Sequence, residues 1–206
     1  HHSCRSLLKE SSFKMSQPKK IAIQGVRASF HDVAARKFFV NQEITPVECS
    51  SFRILSEKLA SGEADFAMMA IENTIAGSIL PNYGLLETNG FKILGETYLR
   101  IEMSFLALPG QSIEDIRFVQ SHPMAILQCQ DFLSTLKDIR VVEASDTAES
   151  ALEIKNRSLK NYAAIASKLA GETYGLTVLK ENIETDRSNF TRFLTLTRNQ
   201  DYQTPA

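Results

Sequence analysis

Cysteine is scarce in this chain, with Cys4, Cys49 and Cys129 the only three among 206 residues. Their number and uneven spacing fit neither a disulfide framework nor a CxxC metal site, and they favour a reducing cytoplasm. Of the four histidines, His1 and His2 read as the remnant of a purification tag, which leaves His31 and His122. Two are too few for a His-based centre, and no metal is expected. No run approaches the eighteen or so apolar residues of a membrane span. Charge of either sign is also missing in excess: 23 Lys and Arg stand against 24 Asp and Glu. The basic residues are scattered, so nothing resembles the stripe that binds nucleic acid or an anionic membrane. Internal repeats, low-complexity tracts and Pro- or Ser-rich linkers are absent too. What remains is an ordinary globular composition, 43% apolar and 23% charged. It suffices for one substantial core or two small ones, with a small molecule as the default partner.

The opening His1-His2-Ser3-Cys4-Arg5-Ser6 reads as an expression remnant and Met15 as a native start. Residues 1–17 are therefore set aside as a leader, which lacks the apolar core of a signal peptide. Beyond them a unit of strand, turn and capped helix recurs. Lys19 to Gln24 predicts a strand ended by Gly25, and Ser29 with Asp32 predicts a capping box for a helix bearing Val33, Ala34, Phe38 and Phe39. Ser50 or Ser51 caps a helix with Phe52, Leu55 and Leu59, ended by Gly62, and Phe66 to Ile71 follow as a buried strand. Gly77-Ser78 opens the next helix, with Leu80, Leu85 and Leu86 toward a core. Residues 98–108 predict one long strand, able to cross between two lobes. Phe118 to Gln120 form another, and Pro123 suits the first turn of a helix whose stripe is Ile126, Leu127, Phe132, Leu133 and Leu136. Val141 to Ala144 precede a helix capped by Asp146, and Tyr162 to Ala166 precede one capped by Ser167. Such alternation predicts an α/β chain of largely parallel sheets flanked by helices. With no linker in sight, two lobes have to share strands across a hinge.

The stretch with most chemistry is Ser188-Asn189-Phe190-Thr191-Arg192-Phe193, leading into Leu194-Thr195-Leu196-Thr197, whose alternation suits a half-buried strand. A polar loop there delivers a hydroxyl, a guanidinium and a phenyl ring in succession. As an isolated tripeptide this is ordinary strand. Its company is not: Ser29-Phe30, Ala34-Ala35, Glu72-Asn73-Thr74, Ser121-His122-Pro123, Leu127-Gln128-Cys129 and Asp146-Thr147-Ala148 come in order along the chain. Together these resemble the motif series of the prephenate dehydratase family over residues 20–198. Four positions depart from the usual pattern: Ala28 replaces a common Gly, Thr74 a commoner Ser, Met124 a Gln, and Met103 a His.

The resemblance implies two α/β lobes around a ligand cleft, as in periplasmic binding proteins, with residues 18–97 and 187–198 in one lobe and 98–186 in the other. Residues 199–206 form a tail. It implies a cytoplasmic, cofactor-independent lyase, a small anion as substrate, and a homodimer or higher homo-oligomer. Prephenate would lose its ring carboxylate and ring hydroxyl to give phenylpyruvate. Thr191 corresponds to the family's catalytic threonine, as donor to the departing oxygen. Asn73, Thr74, Phe193, Ser29 and Ser121 are the candidate substrate-binding residues, and Arg192, Glu72, Gly77, His122 and Ser167 the supporting ones. Ser29, Ser121, Asp146 and Ser167 each suit a plain helix-capping role as well. In regular β conformation Thr191 and Phe193 share one face and Arg192 takes the other, beside Glu72; were the strand to begin after Phe193, Arg192 would reach a substrate carboxylate. Arogenate, with an amino group in place of the keto group, is the alternative substrate, and a non-catalytic two-lobed receptor the alternative class. The ACT domain common in the family is not within these residues, since nine residues after Thr197 are too few for a domain.

Overall fold

The structure, a computed structural model, describes residues 17–199. The expectations for the leader and for most of the tail lie outside the described residues. The chain runs β1 (Lys19–Gln24), α1 (Phe30–Phe38), β2 (Ile44–Cys49), α2 (Phe52–Ser61), β3 (Phe66–Asn73), β4 (Gly77–Ser78), α3 (Leu80–Asn89) and β5 (Lys92–Arg100). It continues through β6 (Ser104–Ala107), β7 (Phe118–Ser121), α4 (Pro123–Gln128), α5 (Gln130–Leu133), β8 (Arg140–Glu143) and α6 (Thr147–Asn156). Last come β9 (Tyr162–Ala166), α7 (Lys168–Tyr174), β10 (Thr177–Lys180) and β11 (Phe190–Thr197).

Two helix-flanked sheets result, so the α/β reading holds. The first has the order β2-β1-β3-β11-β5, with β4 paired to β3, and the second β10-β6-β9-β7-β8. Both are mixed rather than largely parallel. In the first, β1 pairs in parallel with β2 and β3, while β11 runs antiparallel to β3 and β5. In the second, β7 is parallel to β8 and β9, while β6 is antiparallel to β9 and β10. The antiparallel strands are those nearest in sequence to the two passages between the sheets, residues 101–103 and 181–189.

Several local expectations needed revision. The long strand of residues 98–108 is interrupted at 101–103. There Ile101 N donates to Asn189 O at 2.7 Å and Met103 N to the Glu184 carboxylate at 3.0 Å, so the backbone bonds to the returning passage and not to a sheet neighbour. Gly77-Ser78 does not begin a helix. Gly77 has φ 86°, a conformation that favours glycine, and turns the chain into β4 against β3; α3 starts at Leu80 with Pro81 in its first turn. The predicted stripe from Ile126 to Leu136 is broken at Cys129, and Leu127 is exposed. Two strands escaped pattern reading altogether. β2 contains Pro46, tolerated because this is an edge strand, and β10 is only four residues long.

One apolar core runs through both sheets. Ile21, Ile23 and Phe193 of the first sheet cluster with Phe105, Val119 and Ile165 of the second, joined through Ile101 and Met103 of the passage. Phe38 packs against this core and close to Gly95, where an added Cβ would lie 2.9 Å from its ring. Among the described residues no helix is long and apolar enough to cross a membrane.

Because this core is shared, removing a large side chain from it should weaken both sheets together. Phe105 is fully buried and packs edge-on against Phe132. Phe105→Ala is expected to cost about 3–5 kcal/mol, read as a lower urea midpoint in one cooperative transition by circular dichroism; two separated transitions would show that the sheets unfold independently.

Candidate active site

The site begins where β3 ends and β11 begins, because antiparallel pairing sets Thr191 opposite Asn73 and Arg192 opposite Glu72. The Asn73 side chain closes this corner. Its Oδ1 accepts from the backbone N–H groups of Ile75 and Ala76, both at 2.9 Å, which fixes the amide's orientation. Its Nδ2 must then face the other way. It donates to Thr191 Oγ1 at 2.9 Å and to Asn189 Oδ1 at 2.7 Å. Asn189, almost fully buried, passes the connection on, its own amide N–H donating to Gln128 Oε1 at 2.9 Å. Thus one chain of amides links β3, β11, the returning passage and α4.

Past Thr191, β11 shifts register against β3 between Arg192 and Phe193. Its pairing with β5 stays in step through that stretch, so the alternation of faces survives. Thr191 and Phe193 line a cavity of about 250 Å³ between the sheets. Arg192 lies on the other face, where its guanidinium bonds Glu96 and reaches Glu72 at 3.5 Å. Since the strand starts at Phe190, the geometry that would carry Arg192 to a substrate carboxylate does not arise.

Five of the candidate site residues line this cavity: Ser29, Asn73, His122, Thr191 and Phe193. Ser29 caps α1, accepting from Asp32 N, although the Asp32 carboxylate bonds Ala28 N instead of completing a capping box at Ser29. His122 caps α4, its Nδ1 accepting from Met124 N at 3.0 Å, and it takes the position expected of Ser121. The structure puts the other six, Arg192 among them, outside the lining. Ser121 is fully buried and donates to Ile165 O at 2.7 Å. Thr74 donates to Ser188 O and accepts from Phe190 N, which staples the loop before β11. Asn73 and Thr74 were expected to donate to substrate, yet their polar atoms are engaged within the protein. Ser167 caps α7 and donates to Ala28 O at 2.7 Å, tying the β1–α1 loop to the second sheet. Gly77 serves the turn into β4, and Glu72 serves Arg192.

Six polar lining residues were given no site role in the sequence: Gln24, His31, Gln128, Asp146, Thr147 and Asn189. Asp146 was legible as a cap, and it does accept from Glu149 N. It also faces Gly25, whose φ of 95° brings the loop so near that a Cβ would sit 3.2 Å from the carboxylate. Burial pushes the Asp146 carboxyl up, opposed by the backbone N–H groups of Glu149, Thr147 and Val26. His31, on α1, carried no motif signal. Its Nε2 accepts from Ala70 N at 3.2 Å, and its ring meets Phe193 edge-on with centroids 4.9 Å apart and Phe52 at 5.3 Å. Ala70 lies beyond the β3 residues that pair with β1 and at the register shift with β11, so its N–H is satisfied by a side chain. Burial holds the imidazole pKa down at about 3. The buried thiols behave likewise: burial raises Cys49 to about 11 and Cys129 to about 12, which leaves both poor nucleophiles.

A family model for prephenate dehydratase matches residues 21–201. The chain belongs to the prephenate dehydratase family. Among curated relatives, it is 39% identical over 179 residues to arogenate dehydratase/prephenate dehydratase 2 of Arabidopsis thaliana, covering 87% of this chain and 46% of that protein. It is 34% identical over 184 residues to a bifunctional N-acyl-homoserine lactone acylase/prephenate dehydratase of Komagataeibacter europaeus, covering 89% of this chain and 64% of that one. Of solved structures, the prephenate dehydratase of Arthrobacter aurescens in complex with L-Phe superimposes with a TM-score of 0.76 at 27% identity, covering 87% of this chain and 60% of that one. The quorum-quenching acylase GqqA gives a TM-score of 0.80 at 32% identity, covering 91% and 65%. This prephenate dehydratase family chain spans about half the length of the plant relatives it matches.

His31 titration makes the stability of the fold pH-dependent in a defined window. Its folded pKa of about 3 lies below the ordinary value of 6.5, so the unfolded chain takes up the proton first. The contribution is complete above pH 6.5 and is lost as pH falls toward 3, amounting to about 4 kcal/mol at the lower end. Urea midpoints from pH 7 to pH 3.5 should therefore fall more steeply in the natural chain than in His31→Gln; parallel curves would remove His31 as a contributor.

Proposed function

We propose that the chain carries the active site of a prephenate dehydratase, a carbon–oxygen lyase that converts prephenate to phenylpyruvate. The observation that supports this best is the state of the Thr191 hydroxyl. Its oxygen accepts from Asn73, and among the described residues no group takes its proton. The O–H is thereby left to donate into the cavity beside the Phe193 ring. That suits a donor to a departing oxygen. It does not suit a nucleophile, which needs a base to accept its proton.

In the reaction, the bond between the ring and its carboxylate breaks, and the electron pair moves into the ring as the para carbon–oxygen bond breaks. Carbon dioxide leaves. The departing oxygen takes a proton and leaves as water, and solvent supplies the net proton. Aromatisation drives the change. A threonine hydroxyl is too weak an acid to protonate the oxygen beforehand, so its contribution is a hydrogen bond that strengthens as negative charge grows there. No electrons pass to or from a partner, and the reading calls for neither metal nor cofactor.

The two sheets act in this reading as two lobes, residues 18–97 with 187–198 against 98–186, with the passages between them as the hinge. We also infer a cytoplasmic homodimer acting on a small anion, within phenylalanine biosynthesis. Arogenate would meet the same donors, and names covering both substrates occur among the relatives. A two-lobed receptor would have no need of a hydroxyl held with its proton free.

Purified protein given prephenate at mildly alkaline pH should form phenylpyruvate, and Thr191→Ala should lower kcat about 100-fold or more. Thr191→Ser, which keeps the hydroxyl, should retain more activity than the alanine variant. Binding of prephenate without product would sink the enzyme reading, and competition with arogenate would measure the preference.

A further inference from the structure

The hydrogen bond from Ala70 N to His31 Nε2 decides the tautomer of that ring. An Nε2 that accepts carries no proton, so the proton of the neutral imidazole is on Nδ1. Among the described residues no group accepts from Nδ1, and the atom is not sealed within the protein, since the only fully buried side-chain polar atom without a partner belongs to Glu184. His31 lines the cavity, which offers Nδ1–H a place to meet a ligand. The suppressed protonation keeps this donor uncharged across the physiological range.

Its location matters as much as its state. His31 abuts Phe193, which lies two residues along β11 from Thr191, roughly 6–7 Å along the strand. Phe193 thus neighbours both donors, Thr191 two residues away on the same strand face and His31 edge-on against its ring. On prephenate, the hydroxyl and the ring carboxylate stand at opposite ends of a six-membered ring. We propose that His31 is a substrate-contacting residue whose Nδ1–H donates to the ring carboxylate that is lost as carbon dioxide, while Thr191 serves the hydroxyl at the other end.

A neutral donor is suited to that task. It orients the carboxylate, yet stabilises its charge less than a guanidinium or ammonium would, and that charge disappears in the transition state. Phe52 and Phe193, packed against the imidazole, keep the neighbourhood apolar, which favours loss of the neutral product.

The inference rests on the dehydratase reading, and two substitutions separate it from a purely structural role. In His31→Gln the amide oxygen reaches the Nε2 position and keeps an acceptor for Ala70 N–H, but nothing occupies the Nδ1 position. In His31→Asn the amide nitrogen replaces the Nδ1 donor, but the acceptor is lost. We expect His31→Gln to keep its thermal midpoint and lose about tenfold in kcat/KM for prephenate, the effect of one hydrogen bond. His31→Asn should melt earlier and keep kcat/KM within about threefold of the natural chain. In the natural chain, ¹⁵N imidazole spectra should show the Nδ1–H tautomer, and in the slow Thr191→Ala variant that proton should shift when prephenate is added but not when phenylpyruvate, which lacks the ring carboxylate, is added. Natural-chain activity with an unchanged His31→Gln, or an Nε2–H tautomer, would overturn this inference alone. No turnover of prephenate by the natural chain would overturn the dehydratase reading and this inference with it.

Discussion

The arrangement of the site depends on one saturated side-chain amide. Asn73 has two acceptor sites and two donor hydrogens to satisfy, and all are met: Ile75 N and Ala76 N on one side, Asn189 and Thr191 on the other. A flipped amide would set two donors against two N–H groups, so the orientation is enforced from the backbone. The consequence travels outward. Thr191 is obliged to accept, which leaves its proton for a ligand. Asn189 is obliged to present its oxygen to Asn73, which turns its N–H toward Gln128 on the other sheet. A partly buried polar network of this kind is costly if any member goes unpaired, so it holds the cleft's two walls in a single relation.

The same logic explains how the sheets stay together without a linker. The passages 101–103 and 181–189 bond to each other through Ile101 with Asn189, Met103 with Ile183, and Met103 with the Glu184 carboxylate. On the opposite side, the β1–α1 loop is held to the second sheet by Ser167 at Ala28 O and by the Tyr174 hydroxyl at Arg27 O, 2.6 Å away. Of these loop contacts the Ser167 bond is buried and the Tyr174 bond exposed, whereas the passages are threaded by the apolar core.

What the sequence showed and what it hid follow from the range of the interactions. Caps are local, and Ser29, Ser51, Asp146 and Ser167 were legible because each bonds an N–H three residues ahead. The face alternation of Thr191, Arg192 and Phe193 was legible for the same reason. Hydroxyls at junctions were over-read as ligand groups: Ser121 and Thr74 sit at strand ends, but their partners, Ile165 and Ser188, are 44 and 114 residues away. No pattern within a motif reveals such a partner. His31 was missed for the opposite reason. It occupies an amphipathic helix where a buried polar residue looks like a packing detail, and its acceptor role arises only because Ala70 lies at a register shift, 39 residues on. The break of the 98–108 strand was invisible because Ile101 and Met103 are as apolar as any strand residue; what removes them from the sheet is the passage that pairs with them.

Among the described residues that line the cavity there is no lysine or arginine, and the only carboxylate is Asp146. For a site that would receive a dianion this looks unfavourable, but the balance is between ground state and transition state. A cation set against the ring carboxylate would hold it most tightly before the reaction and least usefully during it, as the charge leaves that carbon and accumulates on the departing oxygen. In the proposed dehydratase reaction neutral donors would reduce that penalty at one end, and at the other a hydroxyl bonded by Asn73 would gain strength as the oxygen turns anionic. Arg192, the nearest guanidinium in the motif, is kept on the far face by strand alternation and is held there by Glu96 and Glu72. Its removal from the cavity is thus a consequence of the same alternation that brings Thr191 and Phe193 into it.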